Sequence, residues 1–131
     1  MFTEAQIKHA HSKVKSGADF PAYIQEIISL GVTSYDVYVA DGHSEYHGAN
    51  EYEITTTAKY KNLFVADSCD TISFKAGLKS HQQGQTDYNA FIAMSAKCGI
   101  EKWVVDTQKM SCSYYDKTGN EILVEQIPNN K

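Results

Sequence analysis

The chain has 131 residues, of which 42% are hydrophobic and 21% are charged, as is typical of one globular domain. Sixteen acidic against twelve basic residues leave a formal charge of −4. This argues against a nucleic-acid partner, because phosphate binding needs clustered lysine and arginine. No apolar run reaches the roughly 18–20 residues that span a bilayer, and the N-terminus mixes charged and apolar residues, unlike a signal peptide. Three cysteines without a CxxC pair favour a reducing compartment, so we expect a cytoplasmic protein without a membrane partner.

Helical patterns come first in the chain. Thr3 and Gln6 form a capping box that begins a helix, which Ser16-Gly17 is expected to end. Asp19 is a capping residue for a second helix with a clear apolar stripe. Gly31 then supplies the left-handed conformation that ends many helices. The sequence therefore predicts two consecutive helices before the first strand.

The spacing of apolar residues then changes from about 3.6 to 2, which indicates β-structure. Residues Tyr35–Val39 alternate as a strand with one better-buried face, and Asp41-Gly42 is a turn signal. Short strands are predicted around Ser44–His47 and Glu51–Thr57, and Leu63–Val65 is predicted as one more.

The second half follows the same order. Asp70 is predicted to cap a helix, and Thr86 the next helix, which Gly99 ends. Three strands follow, the last two joined by a hairpin loop at Asp116–Gly119. Trp103 and Val105 are predicted to lie on one side of the first of these strands, and Met110, Cys112 and Tyr114 on one side of the second. Ile122 and Val124 are placed on the last strand.

The halves also match residue by residue at an offset of about 68. Asp19–Ile24 lies over Asp87–Ile92 without a gap, and Tyr46 lies over Tyr114. We therefore predict one α+β domain, residues 1–131, with two similar ααβββ halves (about 1–66 and 67–131) from an internal duplication. The antiparallel sheet, with helices on one face, is either continuous or divided by a central seam, where a ligand cleft is expected. The alternative is that any helix followed by a strand needs these residue types.

Several longer stretches resemble one known family. They are AHSKVKSGADFP at 10–21, GVTSYDVYVADGH at 31–43, HQQGQTDY at 81–88, EKWVVD at 101–106 and SYYDKTGNE at 113–121. They are similar to bacterial and prophage proteins labelled "phage envelope protein", a domain family of unknown function. The resemblance covers nearly the whole chain, and it implies no particular catalytic residue, cofactor or substrate.

Positions that differ between the halves are candidates for function, because a functional site breaks a repeat. The mismatches in the strands are Tyr38 against Asp106, His43 against Ser111, Ser44 against Cys112 and His47 against Tyr115.

His43 and His47, with Asp41 and Glu45 beside them, suggest metal ligands. In an extended strand, however, four residues cover roughly 13 Å, whereas each imidazole must lie about 2.1 Å from a shared zinc ion. The two rings could converge only if residues 42–48 formed a tight loop. We therefore predict solvated histidines and no metal or cofactor, with one histidine as an acid or base as the alternative.

An enzyme would use His43 or His47 together with Asp106 or Cys112. A nucleophilic thiol needs a nearby base or a lowered pKa, and a small buried hydrophobe is the simpler interpretation of Cys112. Asp36 and Asp106 could supply paired carboxylates, although their positions in the repeat do not coincide.

Nine tyrosines are the broadest signal, and most of them fall on predicted strands. Cross-strand packing explains them, and so does a tyrosine-lined pocket or a homodimer face. The candidate ligand-binding residues are Tyr38, Tyr46, His81, Trp103 and Tyr114. His81 could instead be a histidine at the negative end of a helix. The leading hypothesis is a non-catalytic module that binds a small molecule or a protein, including a second copy of itself. The alternatives are a small acid/base or thiol enzyme and a prophage structural or assembly protein.

Overall fold

A computed structural model describes residues 2–14 and 19–127. Within these ranges four α-helices and six strands form two groups, each with two helices followed by three strands, which confirms the predicted α+β class. The first group is α1 (Glu4–His11), α2 (Phe20–Leu30), β1 (Val32–Tyr38), β2 (Ser44–Gly48) and β3 (Glu53–Thr55), with a short 3-10 helix at Ala49–Glu51. The second is α3 (Thr71–Gln82), α4 (Tyr88–Lys97), β4 (Ile100–Asp106), β5 (Ser111–Asp116) and β6 (Glu121–Gln126). Over the ranges described, no helix has the length and apolar character that crossing a membrane requires.

All six strands form one antiparallel sheet in the order β3-β2-β1-β4-β5-β6. The first strands of the two groups, β1 and β4, therefore pair at the centre, with Tyr35 opposite Val105 and Val37 opposite Trp103. Each group then continues outward as a meander. Of the two arrangements left open by the sequence, the continuous sheet is the one observed.

The helices pack on one face of this sheet through aromatic side chains. Tyr23 of α2 contacts Tyr35, which stacks on Tyr46 at 4.8 Å between ring centroids. In the second group, Phe91 of α4 contacts Trp103 at 5.7 Å. All five side chains are at most 8% exposed. Alternation along the strands turns the next side chains to the opposite face, which we call the open face. Its partly exposed residues include Asp36, Tyr38, Glu45, His47, Lys102, Val104, Ser113 and Tyr115.

The two groups correspond at the offset of 68 seen in the sequence. Strands β1 and β4 have bounds that differ by that number and share one pattern of burial. A matching pair of backbone hydrogen bonds flanks them, from Val39 N to Glu101 O and from Thr107 N to Thr33 O. The structural halves are thus alike, while their origin by duplication stays a prediction.

Most of the predicted helix ends are confirmed. The capping box of Thr3 and Gln6 is formed, and the Asp70 carboxylate accepts a hydrogen bond from Ser73 N. Gly31 and Gly99 both have a positive φ, of 105° and 86°. The predicted stop at Ser16-Gly17 lies outside the described residues.

Two local predictions are wrong. Leu63–Val65 is not a strand. Leu63 N donates a hydrogen bond to the Ala40 carbonyl, but among the described residues no strand pairs with this segment. Val65 turns inward and is buried, whereas Phe64 is 77% exposed. The cap of α4 is Asp87, whose carboxylate accepts from Ala90 N, and Thr86 contacts His81 instead.

Candidate functional site

A cluster of polar side chains covers the first half of the open face. Strand register brings it together: β1 and β2 place Asp36 opposite Glu45, and β2 and β3 place His47 opposite Glu53. Strand β4 adds Lys102, opposite Tyr38 of β1. With Asp41 and His43 from the turn that follows β1, these eight residues form what we call the open-face cluster.

His47 lies at the centre of three carboxylates. Its Nε2 is 3.7 Å from Asp36 Oδ1, and its Nδ1 is 3.1 Å from Glu53 Oε2. Asp36, Glu45 and His47 each offer one ligand atom, and these three atoms lie within 4.8 Å of one another. The group has the donors and the spacing of a site that could hold a cation.

Lys102 connects the cluster to the second half of the sheet. Its Nζ is 3.3 Å from Asp36 Oδ2 and lies over the rings of Tyr38 and Tyr115, at 5.5 and 5.9 Å from their centroids. Burial disfavours the charged ammonium, but the hydrogen bond and the negative charge of Asp36 outweigh burial and raise the pKa of Lys102. Lys102 is therefore a permanent cation that holds one oxygen of Asp36.

His43 is positioned by two neighbours. Its Nδ1 is 2.5 Å from Asp41 Oδ1, and its ring stacks on Tyr38 at 4.4 Å between centroids. Burial opposes the charge of Asp41, but hydrogen bonds from the backbone and the ring of His43 prevail and lower the pKa of Asp41. The other ring nitrogen, Nε2, is 3.9 Å from Glu45. A carboxylate that orients an imidazole is an arrangement suited to acid/base chemistry.

The other predicted site residues lie away from this cluster. Tyr46, Trp103 and Tyr114 are buried on the helix-covered face, at 4%, 8% and 6% exposure. The hydroxyls of Tyr46 and Tyr23 are 3.0 Å apart, and burial raises the pKa of Tyr46. His81 stacks on Phe91 in the helix layer, with its Nδ1 3.1 Å from Thr86 O. Of the five predicted ligand-binding residues, Tyr38 alone belongs to the cluster.

The predicted catalytic residues are also divided. Cys112 lies on the buried face, where burial raises the pKa of its thiol to about 12. The histidines His43 and His47 lie on the open face, so the sheet separates them from the thiol. Asp106 accepts backbone hydrogen bonds from Gln108 and Lys109 and so holds the turn after β4. The structure thus brings together neither Cys112 nor Asp106 with a histidine.

Comparison with protein families assigns the chain to one of them. A protein-family profile described as "Protein of unknown function (DUF1398)" matches residues 8–126, most of the chain. The chain belongs to this family. A search of curated proteins found no match. The family description mentions no phage, and the label "phage envelope protein" stays a prediction.

Seven of the eight residues of the open-face cluster belong to the first half of the chain, and Lys102 is the exception. At the offset of 68, the residues that correspond to Asp36, Glu45 and His47 are Val104, Ser113 and Tyr115. The aromatic residues of the buried face, in contrast, keep their character in both halves. The buried face is thus repeated, and the chemistry of the open face is not.

Sequence reasoning missed two members of the cluster, Lys102 and Glu53, and it also missed the pairing of Asp36 with Glu45. The last could have been found, because a hairpin through Asp41-Gly42 sets Asp36 against Glu45. Apart from the open face, two shallow clefts lie between α1 and α2. The larger, of about 390 Å³, is lined by Ala5, Gln6, His9, Glu26 and Leu30, and neither contains a predicted site residue.

Proposed function

We propose that the protein is a non-catalytic binding module and that it takes a cationic ligand on the open-face cluster. The observation that carries the proposal is the asymmetry of the sheet. Asp36, Glu45 and His47 stand on one half, and Val104, Ser113 and Tyr115 stand at the same positions of the other half. Packing against the helices does not require the open surfaces of the two halves to differ. We therefore attribute the polar cluster to ligand binding.

The charges of the cluster indicate the sign of the ligand. Asp36, Asp41, Glu45 and Glu53 are four carboxylates, against the single ammonium of Lys102. Asp36 and Glu45 are directly opposite each other on the adjacent strands β1 and β2, and like charges in such a pair destabilise a sheet. A bound cation relieves this repulsion, and the negative field of the cluster attracts it.

The rest of the proposal follows from the sequence. One domain of two repeated halves arose by duplication, and the protein works in the cytoplasm, a compartment that suits its three unpaired cysteines. Its ligand is a small cation rather than nucleic acid or lipid.

Mapping by NMR tests the proposal. We would titrate ¹⁵N-labelled protein with 1,4-diaminobutane and phenylguanidinium as cationic probes, and with benzoate as the anionic control. The cationic probes should shift the amide signals of Asp36, Glu45 and His47, and benzoate should not. E45Q should weaken the response, and S113A, the matched change in the other half, should leave it unchanged. Shifts confined to the α1–α2 clefts, or a response equal in E45Q, would overturn the proposal.

One observation favours an enzyme as the second candidate. Asp41 orients the His43 ring, and Nε2 of that ring is directed toward Glu45 on the open face. The test is hydrolysis of 4-nitrophenyl acetate and 4-nitrophenyl phosphate. Turnover that disappears in H43Q and persists in H81Q would favour the enzyme. Turnover that is absent, or equal in both variants, would leave the binding module as the better account.

A further inference from the structure

We propose that the open-face cluster binds a divalent transition-metal ion through Asp36, Glu45 and His47. This inference rests on the proposed function, because it names the cationic ligand of the same surface. It differs from the prediction from sequence, which considered His43 together with His47 and found the spacing between them too long for a shared ion.

The ligand atoms need only a small adjustment. In a tetrahedral site with bonds of about 2.1 Å, neighbouring ligand atoms are roughly 3.4 Å apart. Nε2 of His47 and Oδ1 of Asp36 are already 3.7 Å apart, and Glu45 offers an oxygen within 4.8 Å of one ligand atom of each residue. Strand register holds the backbones, so rotation of partly exposed side chains closes the remaining gap.

Each ligand also has a partner on its other polar atom. Glu53 Oε2 faces Nδ1 of His47, which leaves Nε2 for the metal. Lys102 binds Oδ2 of Asp36, which leaves Oδ1 free, and the Tyr38 hydroxyl donates to Glu45 Oε1 at 3.5 Å. Partners of this kind, above all a carboxylate behind a ligating histidine, orient the ligands of metal sites in proteins.

The charge and the donor types select the ion. Asp36, Glu45 and Glu53 contribute three formal negative charges, and Lys102 brings the formal charge of the group to −2, which a divalent ion balances. An imidazole nitrogen with two carboxylates suits Zn²⁺, Fe²⁺ or Mn²⁺, whereas Mg²⁺ and Ca²⁺ prefer oxygen ligands alone. Three protein ligands leave a coordination position open toward solvent, where a small molecule could bind.

Isothermal titration of the untagged protein with Zn²⁺ and with Mn²⁺ tests the proposal. We expect one ion per chain, tighter binding of Zn²⁺ than of Mn²⁺, and far weaker binding of Mg²⁺. Mn²⁺ should broaden the NMR signals of residues 36, 45 and 47 before those of residues 104, 113 and 115. H47Q and E45Q should abolish binding. E53Q, which alters a positioning residue, should weaken it by about 10- to 100-fold. H81Q, a change of an imidazole in the helix layer, should retain it.

Circular dichroism of each variant checks the fold, and titration of the unaltered protein alone already decides whether the ion binds. Binding that survives in both H47Q and E45Q, or that is lost equally in H81Q, overturns the metal site. If no metal binds while diaminobutane still shifts the cluster, the metal inference fails and the proposed function stands. If neither binds, both fail.

Discussion

Gly31 and Gly99 end α2 and α4 at corresponding positions, and replacing each with alanine separates two effects. Both residues have a positive φ, of 105° and 86°, so each alanine is strained in the same way. A methyl group at Gly31 would be 3.9 Å from its nearest neighbour, the Phe2 ring. At Gly99 it would be 2.6 Å from the Ser68 carbonyl oxygen and 2.9 Å from the Cys69 Cα. The second position therefore adds a clash with backbone to the same strain.

The expected losses follow from these distances. Left-handed backbone costs an alanine about 1–2 kcal/mol, which is the whole expected effect of G31A. Overpacking adds about 1–3 kcal/mol, so G99A should lower the free energy of unfolding by about 2–5 kcal/mol. The clash is not easily relieved, because Asp70 N is hydrogen-bonded to Cys98 O and holds the loop in place.

Urea unfolding followed by the fluorescence of Trp103, the single tryptophan, measures both losses. G99A should move the midpoint by roughly 1 M or more, and G31A by about half as much. The unaltered protein and an unchanged slope of the transition are the controls. Equal losses in the two variants, or a larger loss in G31A, would refute the reasoning.

Two further predictions concern buried groups. Y46F should lower the free energy of unfolding by about 1–3 kcal/mol, because it removes the hydrogen-bond partner of the buried Tyr23 hydroxyl. Y23F should lower it by only about 0.5–1.5 kcal/mol, because the Tyr46 hydroxyl keeps its hydrogen bond with Ser44. In a double-mutant cycle measured in urea the combined loss should be smaller than the sum, and additive losses would contradict the pairing. Iodoacetamide at pH 8 should label half-buried Cys69 well before Cys112, as followed by peptide mass spectrometry, because burial raises the pKa of Cys112 to about 12. The pKa of Cys112 in the folded protein lies above its unfolded value of 9.0. The contribution of the neutral, buried thiol to the free energy of unfolding is therefore present below pH 9 and is lost between pH 9 and 12. C112A should therefore show a shallower alkaline loss, and an equally steep one would count against the burial.

Local chemistry explains why much of the fold was predictable. The capping box at Thr3, the glycine at Gly31 and the alternation through Tyr35 and Val37 each depend on residues a few positions apart, and each is observed. The strand predicted at Leu63–Val65 shows the limit of such patterns. Its residues are apolar enough for a strand, but Leu63 bonds to Ala40, and tertiary contacts decide the conformation.

The candidate site was less predictable because it is assembled across strands. His47 was recognised, but it was considered together with His43 along the chain instead of with Asp36 across the hairpin. Lys102 could not be found, since it reaches Asp36 only through the pairing of β1 with β4, which the sequence left open. The tyrosines were also misassigned, because a buried Tyr46 and a partly exposed Tyr38 cannot be distinguished from the sequence.

The central strand pair also governs how the chain must fold. Asp36 and Glu45 are close in sequence, whereas Asp36 and Val104 are separated by about half of the chain. Closing the loop between β1 and β4 costs about 2 kcal/mol more in chain entropy than closing the β1–β2 hairpin. We therefore expect the two meanders to form before β1 pairs with β4. Until then each meander has an unpaired inner strand that can equally pair with the complementary strand of another molecule. Protein concentration during refolding should therefore set the balance between monomers and dimers that have exchanged halves.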